Sequence, residues 1–168
     1  MGNAVFLRKS YCMSKEKKKQ DWIAKNKKAF HDYEILEEIE AGIILTGPEV
    51  KSIRAGKVNL KGSFVSILND GKVYVNGMHV SPYNFADNTK YDEVRRRELL
   101  LNRGEIERFA KATNEAGVSI IPTRVYLKKG LVKLAISLAR GKKKHDKRHD
   151  LKRKSQQREI DRSLKNFR

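Results

Sequence analysis

Ser63-Phe64-Val65-Ser66-Ile67-Leu68, then Asn69-Asp70-Gly71, then Lys72-Val73-Tyr74-Val75-Asn76-Gly77-Met78-His79 is two β-type runs joined by three turn residues. In the second run Val73 and Val75 alternate with Lys72, Tyr74 and Asn76, the period-two pattern of a half-buried strand. Asp70-Gly71 supplies residues that tolerate the positive φ angles of a tight turn. The stretch predicts a β-hairpin, and it sets the class of the domain around it.

Working outward toward the N-terminus, Tyr33, Ile35, Leu36 and Ile39 lead to Ala41-Gly42, and Ile43-Ile44-Leu45 resumes at once. This predicts two strands that turn near Gly42. Thr46-Gly47-Pro48 opens a helix over about 48–55, with the proline pre-set for a first turn, Val50 and Ile53 on one face and Gly56 as the stop. Toward the C-terminus, Pro82, Asn84, Asp87, Asn88 and Asp92 mark residues 81–93 as an irregular loop carrying Tyr83, Phe85 and Tyr91. Leu99-Leu100-Leu101 follows, and Glu105, Ile106, Phe109, Ala110 and Ala112 predict an amphipathic helix that ends by Gly117. Val118–Pro122, Val125–Leu127 and Leu131–Leu138 are further strands, the last two joined at Lys128-Lys129-Gly130. About six short strands with one or two short helices predict a mainly β domain, a small OB-type β-barrel, with a β-sandwich as the alternative.

Charge divides the 168 residues into three parts. Residues 1–28 hold 9 basic and 2 acidic side chains, residues 29–139 hold 16 and 14, and residues 140–168 hold 13 and 4, within a formal net charge of +18. The expected organisation is a basic N-terminal arm (1–25), a folded body (26–139) and a basic C-terminal tail (140–168). Such arms lack the apolar area to offset chain entropy, so they are expected to be disordered until a polyanion neutralises them. Nucleic acid is the commonest such partner, because each neutralised phosphate releases a condensed counterion. No run of apolar residues is long enough for a membrane span or a signal core, so a cytoplasmic protein is expected. Cys12 stands alone, which excludes an internal disulfide, and residues 1–12 read as an extension ahead of Met13.

Candidate chemistry is sparse. The carboxylates of Glu34–Glu40 fall on a predicted strand face turned to solvent, and no paired acid and base emerges. His145 and His149 would share a helix face, but a zinc site needs two more ligands, and His31 and His79 lie in the distant body. His145 with Asp146 could shuttle protons in a small nuclease, yet a flexible tail holds catalytic groups poorly. No catalytic residue, metal or cofactor is expected. Tyr83, Phe85 and Tyr91, beside Lys90 and Arg95-Arg96-Arg97, either stack RNA bases or cap the core. Ile160, Leu164 and Phe167, at i, i+4 and i+7, form one stripe of a helix expected to fold only on binding.

Five blocks, in order, resemble the SmpB family, the SsrA-binding proteins of bacteria. They are Asn26-Lys27-Lys28-Ala29-Phe30-His31-Asp32-Tyr33; Glu40-Ala41-Gly42-Ile43; Gly47 with Glu49-Val50-Lys51-Ser52-Ile53-Arg54; Arg97-Glu98-Leu99-Leu100-Leu101; and Gly141-Lys142-Lys143 with His145-Asp146-Lys147-Arg148. The resemblance runs from about residue 24 to the C-terminus, and Pro48 stands where many members carry Thr. It implies an OB-type barrel that binds the tRNA-like domain of transfer-messenger RNA and delivers it to stalled ribosomes for trans-translation. By the same resemblance, Glu49, Lys51, Leu100 and Asn102 contact that RNA, with Glu49 accepting from base amino or ribose hydroxyl groups. Gly141, Lys142, Lys143, His145, Asp146, Lys147 and Arg148 correspond to the segment that enters the small-subunit decoding centre and mRNA channel. Ile160, Leu164 and Phe167 become the apolar face of a helix formed there. Elongation factor Tu is reached through the shared RNA, and the protein itself is expected to be monomeric. The competing readings are a structural ribosomal protein with a surface barrel and basic tails, and the small nuclease.

Overall fold

The computed structural model describes residues 22–68, 70–86, 91–143, 153, 155–160 and 162–164. The segments in chain order are β1 (Trp22–Lys25), α1 (Lys27–Asp32), β2 (Tyr33–Ile43), α2 (Gly47–Arg54), β3 (Val58–Asn59), β4 (Phe64–Ile67), β5 (Val73–Asn76), β6 (His79–Val80), β7 (Arg97–Leu100), α3 (Arg103–Thr113), β8 (Val118–Lys128) and β9 (Leu131–Gly141). All strand pairs are antiparallel. The order β8-β4-β5-β7-β2-β9 returns from β9 to β8, so the sheet closes into a six-stranded ring, with β1 added beside β8 and β3–β6 as a separate small pair. A closed ring leaves few unpaired strand edges.

The hairpin forms as its pattern requires. Val65 faces Val75 and Ile67 faces Val73 in the β4–β5 register. Val65, Val73 and Val75 enter the core inside the ring with Ile53, Met78, Phe109, Leu134 and Ile136. β5 is shorter than expected: Gly77, at φ +68°, breaks it and sends His79–Val80 to pair with β3.

Three further expectations are corrected. Gly42 is no turn; β2 runs straight through it, pairing Gly42 with both Leu100 and Lys133. The absent side chain serves a close approach, since a Cβ there would lie 3.1 Å from Leu100 Cβ. The two strands expected over 118–127 are one, with an irregular register between Pro122 and Arg124 that accommodates the proline. Among the described residues of the body there are three helices rather than one or two, because α1 is present. Six residues are too few for a periodic signal, and α1 depends on Asn26. The buried amide of Asn26 donates to Leu60 O (2.9 Å) and Pro122 O (3.1 Å), its Oδ1 accepts from Ala29 N (3.0 Å), and its own N–H donates to Thr123 O (2.8 Å). Strands also run a few residues past both ends of the 26–139 stretch. Residues 22–25 form β1 on β8, and β9 continues through Arg140 and Gly141.

β9 explains how the ring is sealed. Val132, Leu134, Ile136 and Leu138 point into the core, while the alternate positions Ala135, Ser137 and Ala139 are small and also buried. Long side chains from β2 and β8 therefore close over β9. Glu38 pairs with Arg124 and takes a 3.0 Å hydrogen bond from Thr123, while Glu40 accepts from Tyr126 (2.5 Å) and Lys128 (2.8 Å). Burial pushes the Tyr126 phenol upward, and the Glu40 carboxylate reinforces the shift. Glu38 and Glu40, exposed as the strand pattern predicts, thus also tie strands together.

Gly42→Ala tests the close approach. Leu100 Cβ moves only with its backbone, so the substitution is expected to lower stability by about 1–2 kcal/mol. In urea unfolding the midpoint should fall with the slope unchanged.

Candidate nucleic-acid interface

The corner where α2 meets β7 is organised by one carboxylate. Thr46 precedes α2, and Glu49, at the third helical position, reaches back so that its Oε2 accepts the Thr46 N–H at 2.8 Å. The same turn aims the carboxylate at β7. Glu49 Oε1 accepts from Arg95 Nε and Arg97 Nε, each at 2.8 Å, and Oε2 accepts from Arg95 Nη2 at 2.5 Å. Glu49 and Arg97 are both 0% exposed. Burial alone would push the Glu49 carboxyl up, but the hydrogen bonds from Arg95 and Thr46 and the charge of Arg97 outweigh it and hold the group at about 2. Its two oxygens accept four hydrogen bonds, which leaves no face of Glu49 open to a base or ribose group in this conformation.

Arg97 spends its other N–H groups on backbone. Nη1 donates to Met78 O (2.6 Å) and Arg95 O (3.0 Å), and Nη2 donates to Glu93 O (3.1 Å). The Arg95-Arg96-Arg97 triple, adjacent in sequence to the aromatic loop, therefore divides. Arg97 is interior, Arg95 is largely committed to Glu49, and Arg96 is exposed. Two signals in the sequence pointed this way: the Thr46/Glu49 capping spacing, and the strand parity that puts Arg97 on the same face as Leu99.

The other residues of this corner face outward. Lys51 is exposed, with its ammonium 5.2 Å from the Tyr83 ring centroid. Leu100, at the end of β7, is 56% exposed. It shares a cleft of about 290 Å³ with Val50, Arg54, Leu131 and Lys133, an apolar floor with a basic rim. Arg54 Nη2 donates to Gly130 O at 2.7 Å, tying α2 to the β8–β9 turn that closes the cleft. That turn carries positive φ at both Lys129 (+49°) and Gly130 (+77°), the geometry of a two-residue hairpin. Asn102 is exposed and caps α3, its N–H donating to the Glu105 carboxylate at 3.0 Å. Leu100, Asn102 and Lys51 thus lie on segments that converge around α2 and β7. Such a surface can hold phosphate on its cations and stack apolar side chains on sugar or base.

The basic block lies elsewhere. Gly141 pairs with Tyr33 at the far end of β2, Lys142 N–H donates to Asp32 O at 2.9 Å, and Lys142 Nζ lies 3.5 Å from Phe30 O. Lys143 lines the neighbouring surface with Phe30, Glu34 and Arg140. His145, Asp146, Lys147 and Arg148 lie outside the described residues, as does Phe167. Residues 153, 155–160 and 162–164 are helical, and Ile160 and Leu164 are both exposed on that helix. Among the described residues no cluster of three or more His, Cys, Asp or Glu side chains could hold a metal.

Comparison with known proteins gives a consistent result. The family described as SmpB protein matches residues 23–166. SsrA-binding proteins of Bacillus cereus and Bacillus anthracis are 52% identical over 143 residues, 85% of this chain and 92% of theirs. That of Bacillus cytotoxicus is 51% identical over the same shares. A chain from a solved structure described as tmRNA–SmpB in the bacterial ribosome superposes with a TM-score of 0.62 at 42% identity, covering 72% of this chain and 85% of that one.

The Glu49 cluster carries a pH signature. A carboxyl held at about 2 in the folded chain, below its ordinary 4.5, adds stability that is complete above pH 4.5 and lost as pH falls through 2. Glu49→Gln is expected to flatten that acid limb and, by leaving Arg97 buried without its counter-charge, to cost about 3–5 kcal/mol at neutral pH. Urea melts of both proteins across the acid range check this.

Proposed function

The chain belongs to the SmpB family, and from that premise we propose how its parts divide the work. It is an SsrA-binding protein, which binds transfer-messenger RNA for trans-translation on the ribosome; it acts in the bacterial cytoplasm and is not an enzyme. In our reading the ring is an OB-type barrel, the core of a body spanning 26–139 between a basic arm (1–25) and a basic tail (140–168). The α2–β7 corner meets the tRNA-like domain. Lys51 supplies charge, Leu100 an apolar platform and Asn102 a hydrogen-bonding end. Glu49 is a positioning residue, holding Arg95 and the loop before β7 rather than touching RNA itself. Gly141, Lys142 and Lys143, followed by His145, Asp146, Lys147 and Arg148, enter the decoding centre. Ile160, Leu164 and Phe167 form the apolar face of a tail helix in the mRNA channel. The protein works as a monomer, and elongation factor Tu meets it through the shared RNA.

The observation that carries this division is a separation along one strand. β2 pairs with Gly141 at Tyr33 and with Leu100 at Gly42. Nine residues of extended chain span about 30 Å. One end of the pair therefore supports the tail and the other supports the candidate RNA face, far enough apart to engage two partners at once.

Removing residues 144–168 keeps β9 and its pairing intact. We expect RNA affinity for the tRNA-like domain to stay within about twofold while peptide tagging in a reconstituted stalled-ribosome assay disappears. Leu100→Ala with Asn102→Ala is expected to weaken RNA binding roughly tenfold, about 1.4 kcal/mol. Equal loss of RNA affinity from both changes would defeat the two-surface reading.

A further inference from the structure

We propose that the turn Tyr83-Asn84-Phe85-Ala86 is a stacking site for an unpaired nucleobase, with Lys51 and Lys57 holding the adjoining phosphates. The inference rests on the RNA-binding reading above and adds a contact to it. Phe85 is 88% exposed. Burial of a phenyl ring is strongly favourable, so a ring left this open contributes nothing to the core. Tyr91 is different: it is half-buried and its hydroxyl donates to Val80 O at 2.9 Å, so it fastens the loop to β6. The two roles weighed for these aromatics from the sequence are thus split between residues.

Phe85 is held in place. Ala86 N–H donates to Tyr83 O at 3.1 Å, closing the turn with Phe85 at its tip. Its ring meets Tyr83 edge-to-face, with centroids 5.5 Å apart and planes at 60°. Lys51 Nζ sits 5.2 Å from the Tyr83 centroid, and Lys57 Nζ lies 3.4 Å from Asn84 Oδ1. Ser81 N–H donates to Lys57 O at 3.1 Å, which keeps the start of the loop beside the end of α2. An open aromatic face on an ordered turn, flanked by two ammonium groups, is the arrangement that receives a splayed base and its phosphate. Among the described residues of the loop Phe85 is the one exposed large apolar side chain, which favours this ligand over a protein partner that would need a wider apolar patch. The site adjoins α2, whose Val50 lines the Leu100 cleft, so one RNA could reach both.

The test uses the full chain and two transcripts: the tRNA-like domain with its unpaired loops, and a version in which those loops are closed into duplex. Phe85→Ala is expected to weaken binding to the first about five- to a hundredfold, the range of one lost base–aromatic stack, and to leave the second unchanged. Phe85→Trp should restore affinity. In the Trp22→Phe background, where the new indole is the only one, its fluorescence should be quenched on binding. The thermal midpoint of Phe85→Ala should match the wild type, since the ring is not in the core. Wild-type affinity in Phe85→Ala, with Leu100→Ala/Asn102→Ala still impaired, would overturn the stacking site alone. A wild-type chain that binds both transcripts equally would likewise overturn the stacking site alone, and one that binds neither would overturn the RNA reading and this site together.

Discussion

A carboxylate and a guanidinium that never see water hold three parts of the molecule in one arrangement. The Glu49–Arg97 pair joins α2 to β7, and the remaining N–H groups of Arg97 collect the carbonyls of Met78, Glu93 and Arg95 from the intervening chain. Desolvating two charges is costly, and apolar residues of similar size often match such a pair in stability. Here, however, an apolar substitute for Arg97 would also strand three backbone acceptors. The pair acts mainly on geometry: it fixes where α2, the aromatic loop and the Leu100 strand stand relative to one another.

The ring around this cluster is built from ordinary strand alternation with one modification. On β9 the residues facing outward are almost as buried as those facing inward, because alanine and serine let Glu38, Glu40, Arg124 and Tyr126 reach across from the neighbouring strands. The ladder they form is partly open to solvent, so each pair is weak alone. Its effect is to cover the β2–β9–β8 sheet without a helix layer. Helix α1, packed against this sheet, is small, and its Ala29 meets Ile121 and Ala139.

Local pattern made much of this legible. The β4–β5 hairpin, α2, α3 and the β8–β9 turn each follow from alternation, capping residues or an apolar stripe read within a dozen residues. What escaped reading depends on residues distant in sequence. Gly42 looked like a turn because glycine after a strand usually is one; its true constraint comes from Leu100. α1 follows from an asparagine whose partners lie up to 96 residues away. Leu100, Asn102 and Lys51 are candidates only through the family resemblance, and the structure puts all three at the surface. Glu49 is a candidate on the same ground and is interior, since a charged side chain at a helix start reads as exposed until its counter-charges are located.

The bond between Lys142 and Asp32 gives the β2–β9 pairing a last consequence. Eleven-residue strands in fixed register, interrupted by one irregularity between Ile35 and Glu37, act as a ruler that sets where the tail departs from the ring. Slippage by one residue would displace that departure point by about 3.3 Å and turn every side chain of the strand to the opposite face. The irregularity is therefore part of the graduation. A deletion there would recalibrate the distance between the two ends of the molecule while leaving every residue at either end unchanged.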